Sequence, residues 1–254
     1  MTKQIADFKL VEKQDFGRSV LLRLRSNQAL PDIQPGQFVQ VRVDGSPSTY
    51  LRRPISIHDV DFTQNEISLL VLRVGEGTRK LADVAEGHLI NILLPLGNGF
   101  TIPEKGENVL LVGGGIGIAP LFYFAKVLNE KGFRPTLLLG GKTETDLLRL
   151  ADYQQLGETI VTTEDGSLGE KGFVTQHFIW QRQSFDKIYV CGPKRMMKAV
   201  AKLADEKGVW CEVSLENLMA CGLGACLCCV EETVDGNVCV CKEGPVFNTR
   251  RLKW

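Results

Sequence analysis

At 254 residues, 44% hydrophobic and 24% charged, the chain has room for two compact domains and a small appendage but hardly for three full ones. Thirty basic residues balance thirty acidic ones, so the charge excludes nucleic acid and membrane surfaces as default partners and leaves a small molecule or a protein. Residues 1–10 lack the apolar run of a signal peptide, and the uncharged stretch 109–125, with four glycines and a proline, falls short of the ~20 apolar residues of a membrane span, so a cytoplasmic protein is expected.

Residues 1–102 read as all-β. Short runs rich in Val, Ile and Leu at 19–24, 37–43, 55–60, 67–74 and 89–94 alternate with turn signals such as "LPDIQPGQ" and "VDGSPS", which predicts a small β-barrel. A helix over 78–84 interrupts them. From residue 103 the pattern changes to an apolar strand at 109–112, glycines and a helix over 120–131, then a strand at 136–139 and a helical stretch over 146–155. A strand at 159–163, a helix near 174–181, a strand at 187–190 and a helix over 194–207 follow. This alternation predicts an α/β domain with a parallel sheet over 103–210. Residues 211–254 are too short and too cysteine-rich to build a core of their own, so a bound metal is expected to hold them.

The strongest chemical signal is the cysteine run. Six of the eight cysteines fall within 221–241. Without a signal sequence, such a cluster reads as metal-binding rather than as a disulfide framework. Cys221, Cys226 and Cys229 form C-x4-C-x2-C, the spacing used around a [2Fe–2S] cluster by plant-type ferredoxins, with Gly222, Gly224 and Ala225 small enough for the loop to wrap closely. The fourth ligand comes from Cys239 or Cys241: the chain is expected to return after a hairpin turning at "VDGN" (234–237), and two residues apart on an extended strand both side chains would point to the same face. A structural zinc site would pair two C-x2-C knuckles, whereas here one C-x2-C is followed by C-x-C, so the spacing favours iron–sulfur.

Three weaker signals accompany it. "VGGGIGIAP", carrying Gly113, Gly114, Gly115, Gly117 and Pro120, sits at a strand-to-helix turn where backbone N–H groups can meet a phosphate. It is not the G-x-G-x-x-G fingerprint, and the competing reading is a tight turn that packs the helix on the sheet. "RRPIS" (52–56) and "GEGT" (75–78) offer an arginine for a pyrophosphate, a serine for a ring nitrogen and a helix start at Thr78, or otherwise a bend and a cap. "CGP", Cys191, Gly192 and Pro193, ends the last predicted parallel strand, where ligands of open sheets sit. His58, His88 and His177 show no ligand spacing, and no catalytic acid–base pair is evident.

The order of these motifs over 1–210 resembles the ferredoxin–NADP reductase superfamily. "SLENLMACGLGACLCC" and the "CKEGPVF" ending extend the likeness to the electron-transfer subunits of type B dihydroorotate dehydrogenases. The resemblance implies FAD held by Arg53, Pro54, Ile55 and Ser56, by Val71, Leu72 and Arg73, and by Gly77 and Thr78. It implies NAD at the Gly113–Pro120 turn and near Cys191, Gly192 and Pro193, and a [2Fe–2S] cluster on Cys221, Cys226, Cys229 and Cys241 in a domain over 211–254. Ile55 replaces the superfamily's flavin-stacking tyrosine, Cys228 stands where the branch usually has glycine, and Cys239 is extra. The implied function is electron transfer from an FMN-containing catalytic subunit, in a heterotetramer of two of each, to NAD in pyrimidine biosynthesis. Two alternatives remain: an NAD(P)H oxidoreductase subunit of a sulfide dehydrogenase or transhydrogenase type, and a zinc-stapled interaction module without catalysis. Glu164 and Asp165, ending the third predicted parallel strand, favour NAD over NADP because a carboxylate there repels a 2′-phosphate.

Overall fold

The computed structural model describes residues 2–254. They fall into two compact units: the chain up to Gly99 with 217–231 and 237–245, and 100–216 with 232–236 and 246–254.

The first unit is built on a closed six-stranded antiparallel barrel. Its strands are β1 (Gln4–Asp15), β2 (Ser19–Ser26), β3 (Phe38–Val41), β4 (Arg53–Asp61), β5 (Glu66–Leu72) and β6 (Leu89–Leu96), in the order β1-β2-β5-β4-β3-β6. Alternation of apolar and polar residues turns Phe8, Leu10, Leu22, Leu24, Ile57, Ile67 and Leu69 into the barrel core, each almost free of solvent. Full burial of such a side chain contributes about 1.5–3 kcal/mol. Helix α1 (Glu76–Asp83) follows β5. It starts two residues before the expected position, so Thr78 lies inside the first turn instead of opening the helix. Its hydroxyl accepts from the N–H groups of Val74 and Gly75 at 3.0 and 3.1 Å, which fixes the helix start.

The second unit carries a seven-stranded sheet. Along the chain come β7 (Val109–Gly114), α2 (Ala119–Glu130), β8 (Thr136–Gly141), α3 (Leu150–Gln154), β9 (Glu158–Thr163), β10 (Glu170–Lys171), α4 (Ile179–Arg182), β11 (Lys187–Cys191), α5 (Lys194–Glu206) and β12 (Trp210–Ser214). The sheet order is β10-β9-β8-β7-β11-β12, all neighbours parallel, closed at the far edge by an antiparallel strand from the C-terminus, Val246–Asn248. The apolar run Val109–Val112 is fully buried, as a central parallel strand must be. Phe100, Phe124 and Tyr189 stack beside it, with Phe100 and Phe124 centroids 4.8 Å apart.

Two expected helices are shorter. Only Leu150–Gln154 of 146–155 is α-helical, because Arg149 takes a left-handed φ of 57° and breaks the run. Of 174–181 only the end is helical. The Trp180 indole donates to Val174 O at 2.6 Å, and His177 Nδ1 accepts from Ile179 N–H at 3.0 Å, so the preceding residues form turns.

Residues 211–254 are divided between the two units. Cys211 lies within β12, and the last residues return to the same sheet. A hairpin of β13 (Val230–Thr233) and β14 (Gly236–Cys239) turns at Val234–Asp235, within the "VDGN" that the sequence marks. The helical turn α6 (Val240–Glu243) and the C-terminal strand β15 (Val246–Asn248) follow. Cys239 and Cys241 therefore do not share an extended strand, as their spacing suggested: Cys239 ends β14 and Cys241 sits in α6.

Candidate functional site

The barrel brings the two proposed flavin segments together. Arg53 opens β4, and a Cβ placed on Gly77 in the first turn of α1 would stand 2.8 Å from Arg53 Nε and 3.0 Å from Thr49 Cγ2, so only glycine lets the guanidinium lie against that turn. The neighbouring Arg52 is engaged elsewhere, donating to the carbonyls of Gln40 and Asn91 at 3.2 and 3.0 Å. Arg53, Pro54, Ile55 and Ser56 are all half-buried, whereas Ile57 and His58 just beyond are fully buried, so β4 surfaces at the "RPIS" stretch. On β5 the three expected contacts divide. Val71 points into the core, Leu72 is half-buried, and the Arg73 guanidinium is committed to both Asp15 oxygens at 3.1 and 2.7 Å. Those hydrogen bonds hold the Asp15 carboxyl below its usual value. Arg73 can therefore offer a flavin only its backbone. Helix-start N–H groups together with a guanidinium fit a pyrophosphate.

The cysteine loop belongs to this same unit and is tied to the end of β6. Asn98 N–H donates to Gly244 O at 2.6 Å, and its amide to the Lys242 and Glu243 carbonyls. Protein contacts thus help to anchor the loop. Gly222 and Gly224 have φ of 71° and 83°, and Leu227, a non-glycine, has 58°, conformations that wrap the loop around its own sulfurs. N–H groups of Leu223, Gly224 and Cys241 point at Cys221, Cys241 and Cys229 Sγ, at 3.3, 3.1 and 3.4 Å. Such donors are the usual surroundings of cluster sulfur. Burial opposes the Cys221 thiolate, but hydrogen bonds from Leu223, Cys226 and Ala225 outweigh it and bring that thiol down to about 6. Burial, then the neighbouring Cys229 thiol, pushes Cys241 up to about 12.

Cys229 and Cys241 are buried, Cys221 is half-buried and Cys226 exposed. Cys239, half-buried, donates to Gly224 O at 3.8 Å; burial and the charges of Cys229, Cys221 and Cys226 raise its thiol. The thiols of Cys221, Cys226, Cys229, Cys239 and Cys241 are near enough to act on one another electrostatically, and Cys228, like Cys226, is exposed. Among the described residues no three His, Cys, Asp or Glu side chains converge as they would on a single ion. A two-iron cluster spreads its four thiolates over two metals, and this donor set suits it.

In the second unit, "GGGIG" and "CGP" meet. Cys191 pairs with Gly113 at the ends of β11 and β7. A Cβ on Gly117 would lie 2.5 Å from Gly192 Cα and N, one on Gly114 2.4 Å from Met196 Sδ and 3.1 Å from Pro193 Cδ, and one on Gly113 2.7 Å from Ile118. Gly114 and Gly117 serve close packing of the two turns, and Gly113 the packing of the first turn and α2 on the sheet. Gly115 differs: its φ is 52°, and no atom lies within 4 Å of where its Cβ would be. It opens the 3₁₀ turn Gly115–Ile118 that leads into α2, with Pro120 in the first turn. The sheet reverses its order between β7 and β11, the switch point at which open α/β sheets bind ligands. The sequence did not single out Gln40 and Asn98, and no motif could have found them, since both act through tertiary contacts.

Comparisons agree with this layout. A family model described as the iron–sulfur cluster binding domain of dihydroorotate dehydrogenase B matches residues 216–253, and the oxidoreductase NAD-binding domain matches 111–202. The chain is 42% identical over 220 residues, 84% of each chain, to the dihydroorotate dehydrogenase B (NAD(+)) electron transfer subunit of Shouchella clausii (strain KSM-K16). It is 40% identical over 245 residues to that of Lysinibacillus sphaericus (strain C3-41), covering 94% of this chain and 95% of the relative. A solved NADH-dependent reduced ferredoxin–NADP oxidoreductase structure superposes with a TM-score of 0.88 at 32% identity, covering 97% of this chain and 90% of that one. A ferredoxin reductase of carbazole 1,9a-dioxygenase superposes at 0.70 and 21%, covering 82% and 67%, and shows the fold alone.

Proposed function

The chain belongs to the family of dihydroorotate dehydrogenase B electron transfer subunits, and from that premise we propose that it carries electrons from a dihydroorotate-oxidising partner to NAD⁺ through a [2Fe–2S] cluster and FAD. The observation that carries this is the cysteine loop on the barrel, whose sulfurs receive backbone N–H donors in the same unit that sets Arg53 against the start of α1. Bound flavin supplies the exchange between hydride pairs and single electrons that a nicotinamide and a cluster need between them. The chain's own residues position these groups. Arg53 and the Gly77–Thr78 turn hold the pyrophosphate; Pro54, Ile55, Ser56 and the backbone of Val71, Leu72 and Arg73 border the flavin. Cys221, Cys226, Cys229 and Cys241 hold the cluster, and Gly115 with Cys191, Gly192 and Pro193 borders the nicotinamide nucleotide.

The partner is an FMN-containing catalytic subunit in a heterotetramer of two of each. The cytoplasm is the compartment, and eight unpaired cysteines suit its reducing conditions. No helix among the described residues is long and apolar enough to cross a membrane. The likeness to the ferredoxin–NADP oxidoreductase structure supports a transhydrogenase-type complex as second reading, but the identities of 40–42% to curated subunits favour the first. Purified alone, the chain should be coloured by flavin and cluster. Mixed with the catalytic subunit, it should make dihydroorotate oxidation reduce NAD⁺. Absence of that coupled reaction with both subunits loaded would refute the assignment.

Arg53→Ala should weaken FAD retention by about 10- to 100-fold, since a hydrogen bond to a charged group contributes about 1.5–3 kcal/mol. Flavin released on dialysis measures it. Undiminished retention, or extracted FMN in place of FAD, would reject the role.

NADH should be preferred to NADPH. Glu164 and Asp165 are exposed, and their N–H groups bond Gly141 O and Lys142 O, so this acidic turn lies against the end of β8, the strand beside β7. Hydrogen bonds from Ser167 keep Asp165 ionised well into acid. The two carboxylates at this turn disfavour a 2′-phosphate. Equal or higher kcat/KM with NADPH contradicts this.

A further inference from the structure

Gln40 lies on β3 with no exposed surface, and neither its Nε2 nor its Oε1 has a hydrogen-bond partner. An unpaired buried polar group costs about 1–3 kcal/mol, and native structures seldom keep one without a reason. Its position supplies the reason. Gln40 stands opposite Pro54 in the β3–β4 register, beside the strand proposed to border the flavin. From the other side it is met by the cysteine loop: a Cβ on Gly222 would lie 2.8 Å from Gln40 Cγ and 3.1 Å from Nε2. Gly222 directly follows Cys221, and its φ of 71° together with this contact leaves no room for a side chain between amide and loop. Nε2 is the nearer of the two polar ends. Cluster sulfides and ligating thiolates carry no proton and only accept hydrogen bonds, so nitrogen is also the end that suits them.

We propose that Gln40 donates its Nε2–H to a sulfur of the [2Fe–2S] site beside Cys221 and so raises the reduction potential of the cluster. This rests on the cluster reading above. A donor aimed at sulfur stabilises the added electron, and hydrogen bonds to the sulfurs are among the determinants of cluster potential. Gln40 thereby ties the ease of reducing the cluster to the barrel wall that carries the flavin strand.

The test is a potentiometric titration of the full chain, followed by electron paramagnetic resonance, in the wild type, Gln40→Met and Gln40→Glu. Methionine keeps most of the volume and removes the donor. Its midpoint should move to more negative potential by about tenfold in the one-electron equilibrium, about 59 mV, with the flavin absorbance unchanged. Gln40→Glu, which places a carboxylate there, should move it further in the same direction. A wild-type midpoint in Gln40→Met, or a shift confined to the flavin, overturns the proposal while leaving the cluster in place. A wild-type protein that binds iron without a [2Fe–2S] signal overturns the cluster reading itself, and the two failures are thus distinguishable.

Discussion

Cys241→Ser should abolish or severely alter the [2Fe–2S] resonance of the dithionite-reduced protein, whereas Cys239→Ser and Cys228→Ser should retain it. The sulfur of Cys241 is fully buried and receives the Gly224 N–H at 3.1 Å, while its own N–H donates to Cys229 Sγ at 3.4 Å. It is thus bound into the lattice of donors around the loop from both sides. Cys239 has a different task. Its thiol donates to Gly224 O, bracing the residue whose N–H serves Cys241, and a serine hydroxyl can make the same bond. Cys228 is exposed and takes part in none of these contacts. The break in backbone direction between β14 and α6 is what separates Cys239 from Cys241, so the choice no longer depends on distance along one strand. A normal signal in Cys241→Ser with its loss in Cys239→Ser would reverse the assignment.

Why some of this was legible in the sequence and some was not follows from where the information lies. Val109–Val112 and Lys187–Cys191 were readable because central parallel strands are apolar on both faces, and the glycine and "CGP" punctuation after them marks tight turns. The 12-residue β1 was missed: in "QIADFKLVEKQD" charged residues alternate with apolar ones and only Phe8 and Leu10 are fully buried, so no apolar run announces it. β12 and β15 were missed because each is short and gains its place by pairing with a strand distant in sequence. The cysteine spacing announced the cluster, but the fate of Cys239 and Cys241 depended on one helical turn of four residues, Val240–Glu243, that spacing does not encode. Gln40 is the extreme case. A glutamine in "FVQV" looks like an ordinary strand residue, and only burial against Gly222 gives it meaning.

Gly117→Ala should lower kcat/KM for NADH by about a hundredfold while leaving flavin content and the cluster signal unchanged. The added methyl would meet Gly192 Cα and N at 2.5 Å and Cys191 O at 2.6 Å, against the 3.4 Å at which ordinary contact begins. Those atoms are backbone and cannot swing aside, so the two turns must part by roughly 1 Å, and a displacement of that size at a reacting centre costs about 10²-fold. Overpacking of this kind also costs about 1–3 kcal/mol of stability, which a lowered Tm would register. The strain falls entirely on the ends of β7 and β11 in the second unit, whereas Arg53, the α1 turn and the cysteine loop belong to the first. Dithionite should therefore reduce flavin and cluster as in the wild type, and NADH should fail to. An unfolded or cofactor-free protein would give neither reaction and is recognised at once by its colour. Full NADH activity with a wild-type Tm would show that the turns tolerate the methyl, and the nicotinamide site would have to be placed away from the Gly117–Gly192 contact.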